Sequence, residues 1–215
     1  KGKFMKKYKI GILLLIMTVL SYGNDISYFN PSVKIGFNIN WIEAQGYTKE
    51  HYFYPKLIFG LSNEFLISNS VFIQNDLYYK RSYSSFKYYP AAAIGPLFQH
   101  YNNQHVHFSI LTGYKFRNHL KITSGLELLG LLDSKLIITE KKQKKSYKYI
   151  SKNITSDLPN MEYALSFGLS KGVDIKRNEF YIETRFLYSL SRFSNKNFGP
   201  KCRNHTLNFL IGYKL

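Results

Sequence analysis

From about residue 30 onward, apolar and polar side chains alternate with a period of two, in runs of about ten to fourteen residues. Period two marks a strand whose two faces meet different surroundings. In 32–42 the apolar row is Val33, Ile35, Phe37, Ile39 and Trp41, and the other row is Lys34, Gly36, Asn38 and Asn40. The same division recurs in 53–62, 70–83, 105–116, 119–133, 161–171, 179–192 and 203–215. In 105–116, for example, Val106, Phe108, Ile110, Tyr114 and Phe116 oppose His105, His107, Ser109 and Lys115.

Eight such segments predict an antiparallel sheet with an even number of strands, and closure into a barrel removes its edges. The links also alternate. Those at 63–69, 117–118 and 172–178 are short, and those at 43–52, 84–104, 134–160 and 193–202 are longer. A soluble barrel would turn its apolar row inward. Here that row is long, aromatic at its ends and present in every segment, while the other row is rich in Gly, Ser and charge. The expected fold is therefore all-β: an eight-stranded, antiparallel, up-and-down transmembrane β-barrel with a narrow polar lumen. Short turns and both termini would face the periplasm, and the long loops the outside.

The start of the chain reads differently. Lys1, Lys3, Lys6, Lys7 and Lys9 precede an apolar run from Ile10 to Leu20, and Ser21-Tyr22-Gly23 follows. This is the pattern of a cleaved secretory signal peptide. The run covers roughly 16 Å as a helix, about half of a bilayer core, so it is too short for an anchor. The expected organisation is a signal peptide over 1–23, with an upstream extension before Met5, and an outer-membrane barrel over 24–215.

Composition adds three constraints. Aromatic residues make up 17% of the chain, with 19 Tyr and 17 Phe, which suits rings placed at a water–lipid boundary. The formal net charge is +17, of which the leader lysines supply five. With an export signal, that charge points to anionic lipid or lipopolysaccharide and away from nucleic acid. Cys202 is the single cysteine, so no internal disulfide or Cys-rich zinc motif exists.

Three stretches resemble the PorT-like outer-membrane β-barrel family, a Bacteroidetes-type barrel domain. They are Phe72-Ile73-Gln74-Asn75-Asp76-Leu77-Tyr78-Tyr79, then Phe180-Tyr181-Ile182-Glu183-Thr184-Arg185-Phe186-Leu187-Tyr188-Ser189-Leu190, and the closing Arg203-Asn204-His205 to Gly212-Tyr213-Lys214-Leu215. The likeness spans about 30–215, with Leu215 standing where the family has a terminal aromatic residue. It implies an eight-stranded barrel in the outer membrane and no activity.

The polar row carries the candidate chemistry. Asp76, Glu127, Glu162 and Glu183 with Lys34, Lys121 and Arg185 are expected to form a charge network that fills the lumen, Arg185 at its centre. Trp41, Tyr79, Phe116, Tyr188 and Tyr213 fall near expected strand ends and read as an aromatic girdle. The stretch 134–160 reads as an extracellular basic loop through Lys141, Lys142, Lys144, Lys145 and Lys148. His107 and Ser109, two apart on one face, are the pair a lipid hydrolase would use with Glu127, but they fall on the lumen side. His105 and His107 lack a third ligand, so no metal and no cofactor is expected. The last strand, ending Phe209, Ile211, Tyr213 and Leu215, resembles the signal read by the barrel-assembly machinery.

The reading is a non-enzymatic integral outer-membrane barrel of structural or interaction type, acting through its extracellular loops. The alternatives are a hydrolase acting on outer-membrane lipid, of lipid A deacylase type, or a small, porin-like pore. The expected partners are outer-membrane lipid, lipopolysaccharide and, during biogenesis, the assembly machinery; the sequence names no protein partner.

Overall fold

The computed structural model describes residues 29–44, 54–88, 97–142, 145–155, 161–175, 178–191 and 202–215. The expected leader, 1–23, lies outside them. Among the described residues there are nine strands: β1 (Phe29–Ala44), β2 (Lys56–Leu66), β3 (Val71–Tyr88), β4 (Leu97–Lys115), β5 (Leu120–Lys142), β6 (Lys145–Asn153), β7 (Met161–Ile175), β8 (Asn178–Ser189) and β9 (Cys202–Lys214).

Every pairing is antiparallel, and β1 meets β9 along thirteen register pairs from Ser32–Lys214 to Ala44–Cys202. That seam closes a ring of eight: β1, β2, β3, β4, β5, β7, β8 and β9. β6 stands outside the ring. It pairs with the second half of β5, from Lys135 to Lys142, whereas β7 pairs with the first half, from Leu120 to Gly130. The end holding Phe29 and Leu215 also holds the turns 67–70 and 116–119 and the paired ends of β7 and β8 at Ile175 and Asn178, and is termed the near end. In the turn at 116–119, His119 adopts a positive φ of 60°, and Asn118 accepts from the Leu120 amide to set the reversal.

The alternation becomes an inside-out barrel. Outward-facing Ile35, Leu61, Leu126, Phe167, Ile182 and Ile211 are each at least half exposed. Inward-facing Lys34, Asp76, His107, Ser109, Glu127 and Arg185 are at most 1% exposed. The polar row thus forms the core, and the apolar row forms the surface.

Two features depart from the sequence reading. First, the stretches 84–104 and 134–160 are largely strand, not loop: β3 runs to Tyr88, β4 starts at Leu97, β5 runs to Lys142, and β6 follows. At this far end the outward row turns polar, at Arg81 on β3 and at Asn102 and Gln104 on β4, so the alternation fades while the ladder continues. Lys141, Lys142, Lys145 and Lys148 therefore sit on a β5–β6 hairpin, and Lys144 lies outside the described residues. Second, β5 carries a bulge opposite Gln104 and His105, which pair with Asp133 and Leu131 and skip Leu132. The extra residue switches the inward row, from Lys121, Thr123, Glu127, Leu129 and Leu131 to Ser134, Leu136 and Ile138.

A narrow lumen has little room for rings, yet Phe72, Tyr78 and Tyr181 all point into it. Each lies directly across from a glycine: Phe72 from Gly113, Tyr78 from Gly60, and Tyr181 from Gly212. A Cβ on Gly113 would fall 2.1 Å from the Phe72 ring, and one on Gly212 would fall 2.0 Å from the Tyr181 ring. The missing side chain is the space each ring occupies.

Candidate functional site

Four strands bring the central charges together. Arg185, fully buried on β8, places Nη1 2.7 Å from Asp76 Oδ2 on β3 and 3.3 Å from Glu127 Oε1 on β5. Its Nε donates to Glu183 Oε1 at 2.7 Å, and its Nη2 is ion-paired to the same carboxylate. Lys34 on β1 lies between two of these acids, 2.7 Å from Glu183 Oε2 and 3.4 Å from Asp76 Oδ1. The alternating register produces this: Glu183 and Arg185 are consecutive inward positions of one strand, and Lys34, Asp76 and Glu127 are inward positions of three others.

Neutral groups complete the network. Gln74 donates to Asp76 at 3.0 and 2.9 Å, and Ser109 donates to Asp76 Oδ2 at 3.0 Å. Glu127 accepts from Ser166 at 3.0 Å and from His107 Nδ1 at 3.2 Å. Aromatic faces cover the cations. The Arg185 guanidinium lies 5.5 Å from the Tyr78 ring centre, and Lys34 Nζ lies 5.9 Å from Tyr78 and 5.2 Å from Tyr181. Hydrogen bonds and opposite charge on this scale offset the desolvation of buried ions, which is several kcal/mol per ion when unpaired.

Two expected members stand apart. Lys121 joins no central acid; it pairs with Glu64 at 2.5 and 2.7 Å, one layer nearer the near end. Glu64 was missed because 63–69 reads as a turn, whereas β2 runs to Leu66. Glu162 is buried on β7 toward the far end, within electrostatic range of Lys80, and makes no ion pair among the described residues. Lys80, another inward lysine, joins no central acid either and donates to Thr206 at 2.8 Å. Beside these charges Leu129, Ala164 and Leu187 form one buried apolar cluster, with Leu129 the register partner of Glu162 and Ala164 that of Glu127.

The hydrolase arrangement does not assemble. Ser109 is held by Asp76, and His107 Nε2 has no partner. Both side chains are fully buried in the lumen. No cluster of three potential metal ligands occurs among the described residues.

The five girdle residues are all on the outward row or at its end, at different heights. Tyr213 and Phe116 mark the near end, with Tyr213 5.1 Å from Phe180 and Phe116 5.0 Å from Tyr114. Trp41 and Tyr188 mark the opposite boundary. Tyr79 is not at a strand end, because β3 continues to Tyr88. Its hydroxyl donates to Gln104 at 2.9 Å and accepts from Arg81 at 3.3 Å, so it still sits where the outward row turns polar.

No family model matches the chain, and no curated relative does. Among solved structures, it is similar to Ail, the attachment invasion locus protein of Yersinia pestis, at 12% identity and a TM-score of 0.46, over 87% of this chain and 99% of that one. It is also similar to the outer membrane protein OprG of Pseudomonas aeruginosa, at 8% identity and a TM-score of 0.42, over 87% and 96%. A third is the outer membrane protease OmpT of Escherichia coli, at 8% identity and a TM-score of 0.40, over 87% and 97%. None of their activities is carried over to this chain.

Proposed function

We propose that this chain is an integral outer-membrane barrel of structural or interaction type that works through its far end and catalyses no reaction. The observation that carries the reading is the Arg185 plug: a fully buried guanidinium among three carboxylates, with Lys34 beside it, filling the middle of the lumen. A lumen filled this way favours neither a solute path nor a site open to substrate. The outward surface supports the membrane assignment. Apolar rows on all eight ring strands make a continuous belt, far larger than the few hundred Å² of apolar patch typical of a soluble monomer. Placement among PorT-like barrels is the finer reading and rests on the residues quoted for it.

In this orientation the near end is periplasmic, and the long β3–β4–β5–β6 wall stands outside. Export would come from the signal peptide at 1–23 and insertion from the barrel-assembly machinery. The β5–β6 hairpin would bring Lys141, Lys142, Lys145 and Lys148 to lipopolysaccharide phosphates, each close contact adding about 1 kcal/mol. Replacing those four lysines by glutamine is expected to weaken low-salt binding to lipopolysaccharide vesicles at least tenfold in a flotation assay, with folding unchanged. The difference should shrink as salt rises.

The reading is tested by refolding the chain into phospholipid vesicles and assaying conductance and lipid hydrolysis together. Insertion with neither activity is the expected outcome. Hydrolysis that disappears in His107→Ala, or steady conductance in the unmodified protein, would overturn it.

A further inference from the structure

The outward face carries one cluster that the lumen and the hairpin leave unexplained. Trp41 on β1 is the register partner of His205 on β9, and Phe186 on β8 is the partner of Leu207, which brings Tyr188 level with His205. The rings pack on one another. Trp41 and Phe186 stack at 5.8 Å and 18°, and Tyr188 and His205 stack at 4.9 Å and 30°. His205 belongs to the outward row yet is only 5% exposed, because its neighbours cover it.

Polar groups rim this platform. His205 Nε2 lies 3.2 Å from Glu43 Oε2. Arg203 Nη1 donates to the Tyr188 hydroxyl at 3.0 Å, and its guanidinium carbon stands 5.8 Å from the Tyr188 ring centre. Arg203 Nε and His205 Nδ1 are both buried without a partner. A buried polar atom without a partner is unfavourable, so the patch holds unsatisfied polar capacity beside flat ring faces.

Its height identifies what it meets. His205 is eight residues from Tyr213 along β9, roughly 20 Å at the usual rise and tilt of such strands. Tyr213 marks the near-end boundary of the apolar belt, so the cluster sits at the opposite boundary. On the outer-membrane reading above, on which this inference rests, that is the headgroup level of the outer leaflet.

We propose that Trp41, Phe186, Tyr188, His205 and Arg203 form a binding site for the phosphorylated sugar headgroup of an outer-leaflet glycolipid. The stacked rings take the apolar face of a pyranose. Arg203 takes the phosphate with its planar fork of donors. With His205 Nε2 turned to Glu43, its unpartnered Nδ1 is left as a polar contact for the sugar. Glu43 repels a bare phosphate but accepts from hydroxyls, so the site favours a phosphorylated sugar over an ordinary anionic phospholipid.

Trp41 is the chain's single tryptophan, so its fluorescence reports this patch alone. The full chain, refolded into phosphatidylcholine vesicles, is titrated with bisphosphorylated lipid A, with dephosphorylated lipid A, and with phosphatidylglycerol at equal charge density. Insertion is checked by heat-modifiable migration. A saturable change in Trp41 emission is expected with the bisphosphorylated glycolipid and not with phosphatidylglycerol. Apparent affinity should fall about tenfold in Arg203→Gln, the loss expected for one charge-assisted contact, and in the unmodified chain on removing the phosphates. Tyr188→Phe, which keeps the ring and frees the guanidinium, should fall between. An equal response to phosphatidylglycerol, or an Arg203→Gln chain that inserts and titrates as the parent does, would overturn the site. A chain that inserts in none of the vesicles would remove the outer-membrane reading, and the site with it.

Discussion

Arg185→Met is expected to lower the unfolding free energy of the refolded barrel by about 3–5 kcal/mol, the range found when one partner of a buried ion network is removed. Methionine nearly fills the volume but leaves Asp76, Glu127 and Glu183 facing one another with Lys34 as the remaining close cation. Lys34 touches Glu183 and Asp76 and not Glu127, so Glu127 would keep only His107 and Ser166. Arg185→Lys should recover part of the loss, because the charge stays while the fork that serves three carboxylates is gone. Urea titration in detergent, followed by far-ultraviolet dichroism, measures both. A midpoint that does not move in Arg185→Met would mean that the guanidinium is solvated and does not hold the lumen closed. The same substitution bears on function: with the plug weakened, vesicle leakage of small ions should rise above the parent's baseline.

The ring of eight strands was legible because two surroundings impose opposite demands on alternate residues, as in Val33-Lys34-Ile35-Gly36-Phe37. What escaped lies where that contrast vanishes. In Arg81-Ser82-Tyr83-Ser84-Ser85 both rows are polar, so the outer part of β3 has no period to read, though its pairing with β4 runs to Tyr88 and Leu97. β6 escaped because Lys145, Lys148 and Lys152 break up its sequence, so no long apolar row alternates along it. The bulge at Leu132 leaves no mark in composition, yet it decides that Leu136 and Ile138 point inward. The centre of the charge network was readable because it needs only the inward row. The pairs that need register were not: Glu64 with Lys121, His205 with Trp41, and each lumen ring with its glycine. Spacing along one strand does not reveal what stands beside it on the next.

Register also makes two chemically identical substitutions diverge. Gly36→Ala is expected to destabilise the barrel by about 3 kcal/mol or more, whereas Gly130→Ala should stay within about 0.5 kcal/mol of the parent or gain slightly. Gly36 sits in the closing seam, between its register partners Ile58 on β2 and Leu210 on β9. Those two side chains meet Tyr78 in one buried cluster. A Cβ on Gly36 would fall 1.9 Å from the backbone oxygen of Phe209 and 2.9 Å from the Leu210 Cα. Backbone cannot rotate away as a side chain can, so β1 and β9 must separate where the ring closes, and an opened ring exposes backbone groups to lipid at several kcal/mol each. At Gly130 the nearest atom to an added Cβ is 3.6 Å away, an ordinary contact, and replacing a strand glycine there reduces the entropy lost on folding. The comparison is read as the temperature at which each refolded variant loses its heat-modifiable band. Equal behaviour of the two would show that the seam has slack, and that closure depends on the outward apolar rows more than on the fit of the lumen.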